Sequence, residues 1–361
     1  MSGSRPQPRL RRRLLRLVPM LVAIALLALL LPKLDLGRVL RVIRDADWRL
    51  VALAVLVNLV ANVPCRVMRW WTLLRPLPRK PVSRGDRGPT FGELLSLTLA
   101  SYATNNLLPA RAGEALRTVQ PHRRHGYPIG STVASQLMEK LVEAASMALL
   151  GLPMVLLAHA TPEVRWPLGI FVGATLAGVL LVLVVAHRAP LEADTGPVEK
   201  AAAEDVAAAR ETRRPLGERL RALGHSARLR GKAFLRRLAQ AVRLMNSPHV
   251  WLQSLLWSWG SDIADVATIG LCLYAVGVHL GVPAWCVVFL AVNLAIMIPS
   301  TPGQVGVLEA GAVLALGTLG VGRGEALAFE LLYHAANVIP VTLAGVIALR
   351  RQWRSPEPER V

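Results

Sequence analysis

Residues 49–74, RLVALAVLVNLVANVPCRVMRWWTLL, form an apolar run that is long enough to cross a bilayer as one helix. A hydrocarbon core about 30 Å thick needs about 20 predominantly apolar residues in a helical crossing. Six stretches of the chain reach that length, the first only when its flanks are counted. They are residues 15–32, 49–74, 129–158, 166–187, 249–280 and 324–349. The sequence therefore predicts an all-α polytopic membrane protein with about six full transmembrane helices.

The composition of the chain agrees with that fold class. Of the 361 residues, 53% are hydrophobic and 18% are charged, which excludes a disordered or fibrous chain and disfavours a water-soluble domain. Lys and Arg total 42 against 23 Asp and Glu, and the net charge of +19 suits either nucleic acid or an anionic membrane surface. The basic residues cluster between the apolar runs, and no basic face is interleaved with stacking aromatic residues. We therefore expect lipid, and not nucleic acid, as the partner.

The distribution of Lys and Arg predicts the orientation of the chain. Basic residues concentrate in the tail 1–14, the loop 75–87 and the tail 350–361, and we assign all three to the cytoplasm. Residues 33–48 are also basic and would face outward, against the rule. The first span lacks a small-residue cleavage site, so we interpret it as a retained anchor and not as a signal peptide. Six tryptophans fall near predicted span ends, as is typical of membrane interfaces. They are Trp48, Trp70, Trp71, Trp166, Trp251 and Trp285.

Two further apolar pieces are too short for a simple crossing, and each runs into a turn that contains Pro and Gly. We predict re-entrant helical hairpins at about residues 91–117 and 285–320. The residues that would break these helices are Pro109, Gly113, Pro299, Pro302, Gly303 and Gly306. Each hairpin precedes a long span with an acidic residue near its start, Glu139 in one and Glu330 in the other. This order predicts an inverted internal repeat.

The repeat divides the chain into two membrane halves, residues 15–187 and 249–349, with the polar insertion 188–248 between them. Residues 213–243 of the insertion are rich in Arg and carry spaced Leu and Phe. They suit either a basic amphipathic helix on the inner leaflet or a solvated linker, because three glycines weaken a helix there. The insertion is too short for a catalytic domain of usual size.

Polar residues recur at helical spacing inside the predicted spans. They are Asn58, Asn62, Arg66 and Arg69 in the second span, Gln136, Glu139, Lys140, Glu143 and Ser146 in the third, Ser258, Asp262 and Asp265 in the fifth, and Glu330, His334 and Asn337 in the sixth. A charged residue at the centre of a membrane helix costs about 2.5–3.5 kcal/mol on insertion scales. Aligned polar faces therefore predict a shared hydrated or ion-paired interior. The alternative is a set of structural pairs, such as Arg66 with Glu139 or Glu143, that only hold helices together.

The first hairpin has the side chains that a phospholipid headgroup requires. Arg111 and Arg117 can hold phosphate oxygens through forked hydrogen bonds, and Glu114 can orient one of them. The second hairpin offers hydroxyl groups and the free N–H groups of a helix start. The candidate headgroup ligands are Arg66, Arg69, Asn106, Arg111, Glu114, Arg117, Ser300 and Thr301. The intramembrane acid or proton-carrying candidates are Glu139, Glu143, Asp262, Asp265, Glu309, Glu330 and His334.

Residues 105–117, NNLLPARAGEALR, followed by residues 299–310, PSTPGQVGVLEA, resemble the lysylphosphatidylglycerol synthase transmembrane-region family, also described as flippase-like integral membrane proteins. Residues 66–70, RVMRW, are similar to the arginine–tryptophan element of that family. The resemblance implies a polytopic protein of the bacterial inner membrane that binds lipids and, as in the best understood members, moves them between leaflets. The matching residues are Arg66, Arg69, Asn106, Pro109, Arg111, Gly113, Glu114, Arg117, Pro302, Gly303, Gly306 and Glu309.

Synthase members of that family carry a soluble aminoacyl-transferase domain after the membrane region, whereas this sequence ends soon after its last span. We therefore do not expect aminoacylation by this chain, and no motif of a hydrolase, zinc protease or P-loop enzyme is present. We expect no cofactor, metal or disulfide. Glu330 and His334 are one turn apart and favour a hydrogen-bonded pair or proton relay over a metal site.

The leading hypothesis is a flippase-like lipid transporter that binds a phosphate-bearing headgroup, from an anionic phospholipid or a polyprenyl phosphate. Acidic candidates outnumber basic ones, so some acids would be protonated, and proton coupling is a weaker hypothesis. One alternative is a membrane-embedded transferase that acts on a lipid phosphate. Another is a non-transporting, lipid-binding partner of a cell-envelope enzyme. The sequence is also compatible with a homo-oligomer.

Overall fold

The computed structural model describes residues 36–81, 87–108, 112–157, 162–188, 216–296 and 306–354. All regular secondary structure in these residues is helical, as the sequence predicts. In chain order the elements are α1 (Leu36–Arg44), α2 (Trp48–Val57), a π-helical turn (Asn58–Asn62), α3 (Val63–Leu74), α4 (Phe91–Leu107), α5 (Ala112–His125), α6 (Ile129–Leu157), α7 (Pro162–Arg188), α8 (Leu216–Met245), α9 (Pro248–Ala275), α10 (Val282–Ile296), α11 (Val307–Thr318) and α12 (Arg323–Arg354). The predicted first span, residues 15–32, lies outside the described residues.

Two helical stretches are long and apolar enough to cross a membrane, Trp48–Leu74 and Arg323–Arg350. They coincide with the predicted spans 49–74 and 324–349. Helices α6, α7 and α9 occupy the positions of three other predicted spans, and α7 contains the shorter apolar segment Gly169–Val184. The number of complete crossings stays a prediction.

Large apolar side chains are exposed on the surface of several helices in the described part of the chain. On α7, Ile170 is 69% exposed and Leu180 is 62% exposed. The same holds for Leu256 on α9 and for Leu343 on α12, at 54% and 61%. An apolar surface of this extent is unusual in a water-soluble monomer and suits contact with lipid tails.

A π-helical turn interrupts the stretch Trp48–Leu74 at its middle. The Val63 N–H bonds to the Asn58 carbonyl five residues earlier. The next residue, Pro64, has no N–H and lies in the first turn of α3, which explains why the regular hydrogen-bond pattern is lost here. Asn58 and Asn62, at the two ends of this turn, are both buried, and the Asn62 amide donates to Asn58 Oδ1 over 3.1 Å. Turns of this type are frequent at functional sites.

The two predicted hairpins are pairs of antiparallel helices, α4 with α5 and α10 with α11. In the first pair, the Gly113 N–H donates to Asn105 Oδ1 over 2.7 Å. A Cβ atom at Gly113 would lie 2.0 Å from the Ser101 carbonyl oxygen, so the backbones meet at a distance that only glycine permits. In the second pair, a Cβ atom at Gly311 would lie 2.8 Å from Ala295 Cβ. The joining turns lie outside the described residues.

The order of a long helix, a helix pair and a long helix occurs twice along the chain. The Asp47 N–H bonds to the Ala275 carbonyl over 2.9 Å, so α2 begins where α9 ends. The Lys80 N–H, after the end of α3, bonds to the Gly126 carbonyl after the end of α5, over 3.2 Å. The inverted repeat and the re-entry of the hairpins into a membrane stay predictions.

The two halves interlock through α4 and α12. A Cβ atom at Gly345 of α12 would lie 2.2 Å from the Leu99 carbonyl oxygen of α4. The described part of the insertion forms the continuous helix α8, which packs on α6 and α7 and buries Ala241 and Met245. Its location relative to a membrane stays a prediction. The helices thus enclose an interior lined by α3, α5, α6 and α9.

Candidate functional site

Charged side chains from four helices and the Asn62 amide of the π-helical turn meet inside the bundle, and we call this group the ionic network. The charged members are Arg66 and Arg69 from α3, Arg117 from α5, Glu139 and Glu143 from α6, and Asp265 from α9. The spacing of three and four residues places the contributors of α3 and of α6 each on one face. Polar residues predicted in the second, third and fifth spans thus meet, whereas Glu330, His334 and Asn337 of the last span lie outside the network.

Arg66 is held by two acids and an amide. Its Nη2 atom lies 2.9 Å from Asp265 Oδ2, and its Nη1 atom lies 3.5 Å from Glu143 Oε1. Its Nε donates to Asn62 Oδ1 over 2.8 Å. The Asn62 amide in turn donates to Asp265 Oδ1 over 2.6 Å and accepts from Ser261 Oγ over 2.7 Å. The structure thus contains the Arg66–Glu143 pair considered from the sequence, together with a closer partner from α9.

Glu139 bridges two arginines. Its Oε2 atom lies 2.5 Å from Arg117 Nη2, and its Oε1 atom lies 3.3 Å from Arg69 Nη2. Arg69 also donates to Ser258 Oγ over 3.0 Å. The Arg117 guanidinium stacks over the ring of Trp70 at 4.1 Å from the ring centroid. Trp70 lies near the end of α3, as the sequence predicts, but its ring is fully buried in the protein and its indole N–H donates to Ser135 Oγ.

Arg69 is buried within the ionic network, whereas Arg66 lies at its edge and is partly exposed to solvent. The exposed fraction of the side chain is 1% for Arg69, 11% for Glu143 and 22% for Arg66. Lys140 lies at the rim, 63% exposed, with its Nζ atom 2.9 Å from Glu143 Oε2. A polar molecule could therefore reach the network from the Arg66 edge.

Among the described residues, the charges in and around the network balance. Asp262 on α9 lies within electrostatic range of Arg66 and Arg69, and it accepts a hydrogen bond from Ser146. The basic groups are Arg66, Arg69, Arg117 and Lys140, and the acidic groups are Glu139, Glu143, Asp262 and Asp265. An anion that enters must therefore displace a carboxylate or bring a positive charge with it.

Two guanidinium donors in the network are unused. The Nε atoms of Arg69 and Arg117 are buried and have no hydrogen-bond partner among the described residues. Buried donors are normally satisfied, and an unsatisfied one is a place where water or a ligand oxygen would bind. The network therefore retains capacity for an additional acceptor.

A second cluster of titratable groups lies between α11 and α12. The Glu309 carboxylate accepts from the Gly306 N–H over 2.5 Å at the start of α11, and its Oε1 atom lies 3.5 Å from His334 Nδ1. Glu330 is fully buried, and neither of its carboxyl oxygens has a hydrogen-bond partner among the described residues. The expected pair between Glu330 and His334 does not form, because His334 pairs with Glu309 across the helix interface.

Comparison with known proteins assigns the chain to a family. The model of the lysylphosphatidylglycerol synthase transmembrane region matches residues 16–345. The chain belongs to this family. It is therefore a membrane protein, and the resemblance stated from the motifs is confirmed.

Two curated relatives are similar to this member over most of its length. Glycosyltransferase AglD of Haloferax volcanii is 26% identical over 372 aligned residues, which cover 94% of this chain. The chain spans about half of that relative, 55% of its length. A UPF0104 membrane protein of Methanothermobacter thermautotrophicus is 24% identical over 319 aligned residues, which cover 86% of each protein.

The motif residues of the family occupy several places in the structure. Arg66, Arg69 and Arg117 join the ionic network, and Glu309 belongs to the second cluster. Asn106 donates to Thr342 Oγ1 over 2.9 Å and so helps to connect α4 with α12. Glu114 lies half-buried on α5, and Gly113 and Gly306 lie at helix starts. The motif residues Pro109, Arg111, Pro302 and Gly303 lie outside the described residues, as do the candidates Pro299, Ser300 and Thr301.

Sequence reasoning missed several residues that position the site. Ser135 accepts from the Trp70 indole N–H over 3.2 Å, and Ser261 supports Asn62. Tyr102 of α4 lies within electrostatic range of both Arg66 and Arg69. Ser135 lies four residues before Glu139 on the same helix face, a spacing that could have identified it. The position of Tyr102 depends on helix packing, which the sequence alone does not reveal.

Proposed function

We propose that this family member binds the phosphate of an anionic lipid headgroup in the ionic network and moves that lipid between leaflets. The observation that carries the proposal is the set of three guanidinium groups, Arg66, Arg69 and Arg117, gathered inside a bundle with an apolar outer surface. Guanidinium groups bind phosphate oxygens through paired hydrogen bonds. The unused Nε donors of Arg69 and Arg117 support this role.

The proposed entry step is an exchange of partners at Arg66. Its contact with Glu143, at 3.5 Å, is looser than its contact with Asp265, at 2.9 Å. A phosphate would therefore replace Glu143, which keeps its contact with Lys140 at 2.9 Å. The acyl chains would remain against the apolar helix faces. The headgroup thus exchanges hydration for guanidinium contacts without leaving a buried charge unpaired.

The hairpin turns are proposed to complete the site. Arg111, Ser300 and Thr301 lie within the family motifs at the two turns, and Arg111 supplies a further guanidinium. We retain these three residues as headgroup ligands on the basis of that position. Helix starts such as that of α11 favour anions as well.

Helix α8 is proposed to contact the anionic inner leaflet. Its exposed residues Arg228, Lys232 and Arg236 follow one another at four-residue spacing, beside exposed Phe234 and Leu235. Basic groups near anionic headgroups contribute about 1 kcal/mol each. Replacing the three basic residues with Gln should reduce co-sedimentation of the protein with phosphatidylglycerol-rich bicelles relative to neutral ones. Equal co-sedimentation would contradict the contact. We also propose a bacterial inner membrane as the location and a cytoplasmic side for both termini, on the basis of the Lys and Arg distribution in the sequence.

Lipid binding tests the proposal directly. The detergent-solubilised full chain is titrated with phosphatidylglycerol or phosphatidylcholine and followed by native mass spectrometry. We expect selective retention of phosphatidylglycerol and a loss of about tenfold in its affinity in Arg66→Gln, since one charge-assisted hydrogen bond contributes about 1.5–3 kcal/mol. Arg49→Gln changes an exposed arginine outside the network and serves as the control. Equal retention by both variants would contradict the proposal.

A second candidate is a membrane-embedded transferase that acts on a lipid phosphate. It is favoured by one observation, the name glycosyltransferase carried by the relative AglD. Formation of a modified lipid by the purified chain in detergent, with a sugar-nucleotide donor, would support this candidate over transport. The absence of product in that assay would leave lipid movement as the function.

A further inference from the structure

Glu330 occupies an unusual position for a carboxyl group. It lies on α12, has no exposed surface, and has no hydrogen-bond partner among the described residues. Helix α12 packs there against α11 and α9, and the adjacent Phe329 is also fully buried. A carboxylate without a partner is unstable in such a setting, because burial removes its hydration and nothing replaces it.

The groups that face Glu330 do not supply a positive charge in the described structure. Glu309 of α11 is within electrostatic range and carries the same charge. Cys272 of α9 and Tyr333 of α12 are also within range, and both are neutral. His334 pairs with Glu309 instead. The described residues contain no group of three or more ligands that would hold a metal ion. A proton is therefore the cation that fits this position.

We propose that Glu330 is a buried proton-binding site, at which the carboxyl group holds a proton at neutral pH and the side chain is a neutral acid. The proposal goes beyond the proposed lipid binding and does not depend on it. Glu309, the acidic group within electrostatic range, is itself paired with His334, whose Nδ1 atom lies 3.5 Å from Glu309 Oε1 and whose side chain is 12% exposed.

Infrared difference spectroscopy tests proton binding without any transport. The full chain in detergent at neutral pH should show a carbonyl band of a protonated carboxyl group that is lost in Glu330→Gln. Glu325→Gln is the matched control, since Glu325 lies on the same helix but pairs with Arg38 at the exposed rim. The band should persist in that control. A spectrum of Glu330→Gln that retains the whole band would overturn the proposal.

Discussion

Replacement of Glu139 with Gln removes the charge that joins two arginines while it preserves the shape of the side chain. Glu139 is 4% exposed, and its two oxygens contact Arg117 at 2.5 Å and Arg69 at 3.3 Å. After the substitution Arg69 keeps a contact with Glu143 at 3.8 Å. Arg117 keeps its stacking on Trp70. We therefore expect one buried guanidinium to lose its ion-pair partner.

The cost of that change follows from its burial. Removal of one partner from a buried ion pair costs about 3–5 kcal/mol, because the other charge stays in a medium that solvates it poorly. An exposed pair contributes about 0–1 kcal/mol. The chain contains both kinds at almost the same distance, since Arg38 and Glu325 lie 2.6 Å apart with side chains 58% and 22% exposed. Glu325→Gln is therefore a control with the same chemical change.

The free energy of unfolding is measured for both variants by titration of the folded protein in mild detergent with a denaturing detergent, followed by tryptophan fluorescence. We expect Glu139→Gln to lose about 3–5 kcal/mol and Glu325→Gln to lose about 1 kcal/mol or less. Equal losses in the two variants would refute the reasoning. So would a loss below about 1 kcal/mol in Glu139→Gln, because the network would then be solvated and not buried.

Two further predictions concern packing. Gly113→Ala should cost at least about 1–3 kcal/mol of unfolding free energy, because its Cβ would lie 2.0 Å from the Ser101 carbonyl oxygen. Gly92→Ala, which meets open space on the same hairpin, should be neutral or stabilising by about 0.5–1 kcal/mol, and equal effects of the two changes would contradict the close approach. Cys272 is fully buried, so a maleimide should label it only after unfolding, whereas half-buried Cys65 should react more readily in the folded protein. Rapid labelling of Cys272 in the folded state, measured by mass spectrometry of peptides, would contradict its burial.

The helices and their polar faces could be predicted from the sequence because both depend on local periodicity. Apolar runs of adequate length gave the positions of α6, α7 and α9, and polar residues three and four apart had to share a face. Arg66 and Arg69 therefore point into one interior. Pro and Gly interrupt two short apolar pieces, and a helix lies on each side of both interruptions, whereas re-entry of these helix pairs into the membrane stays a prediction.

The choice of partners within the interior could not be predicted. Glu139 bridges Arg69 and Arg117 because α3, α5 and α6 converge there, and that convergence depends on contacts between residues distant in sequence. His334 pairs with Glu309 and not with Glu330 for the same reason, although Glu330 lies one helical turn away. Local spacing predicts which residues share one face of a helix. Which residues of another helix contact that face depends on the packing of the whole bundle.

The transport claim is tested most directly by transbilayer movement of a fluorescent phosphatidylglycerol in vesicles that contain the purified chain. The fraction of the lipid in each leaflet is read by chemical quenching of the outer leaflet. We predict rapid movement by the wild type and by Arg49→Gln, and a loss of most of that rate in Arg66→Gln, because Arg66 lies at the open edge of the ionic network. Equal rates in all three proteins, each shown to be folded, would contradict passage of the headgroup through the network.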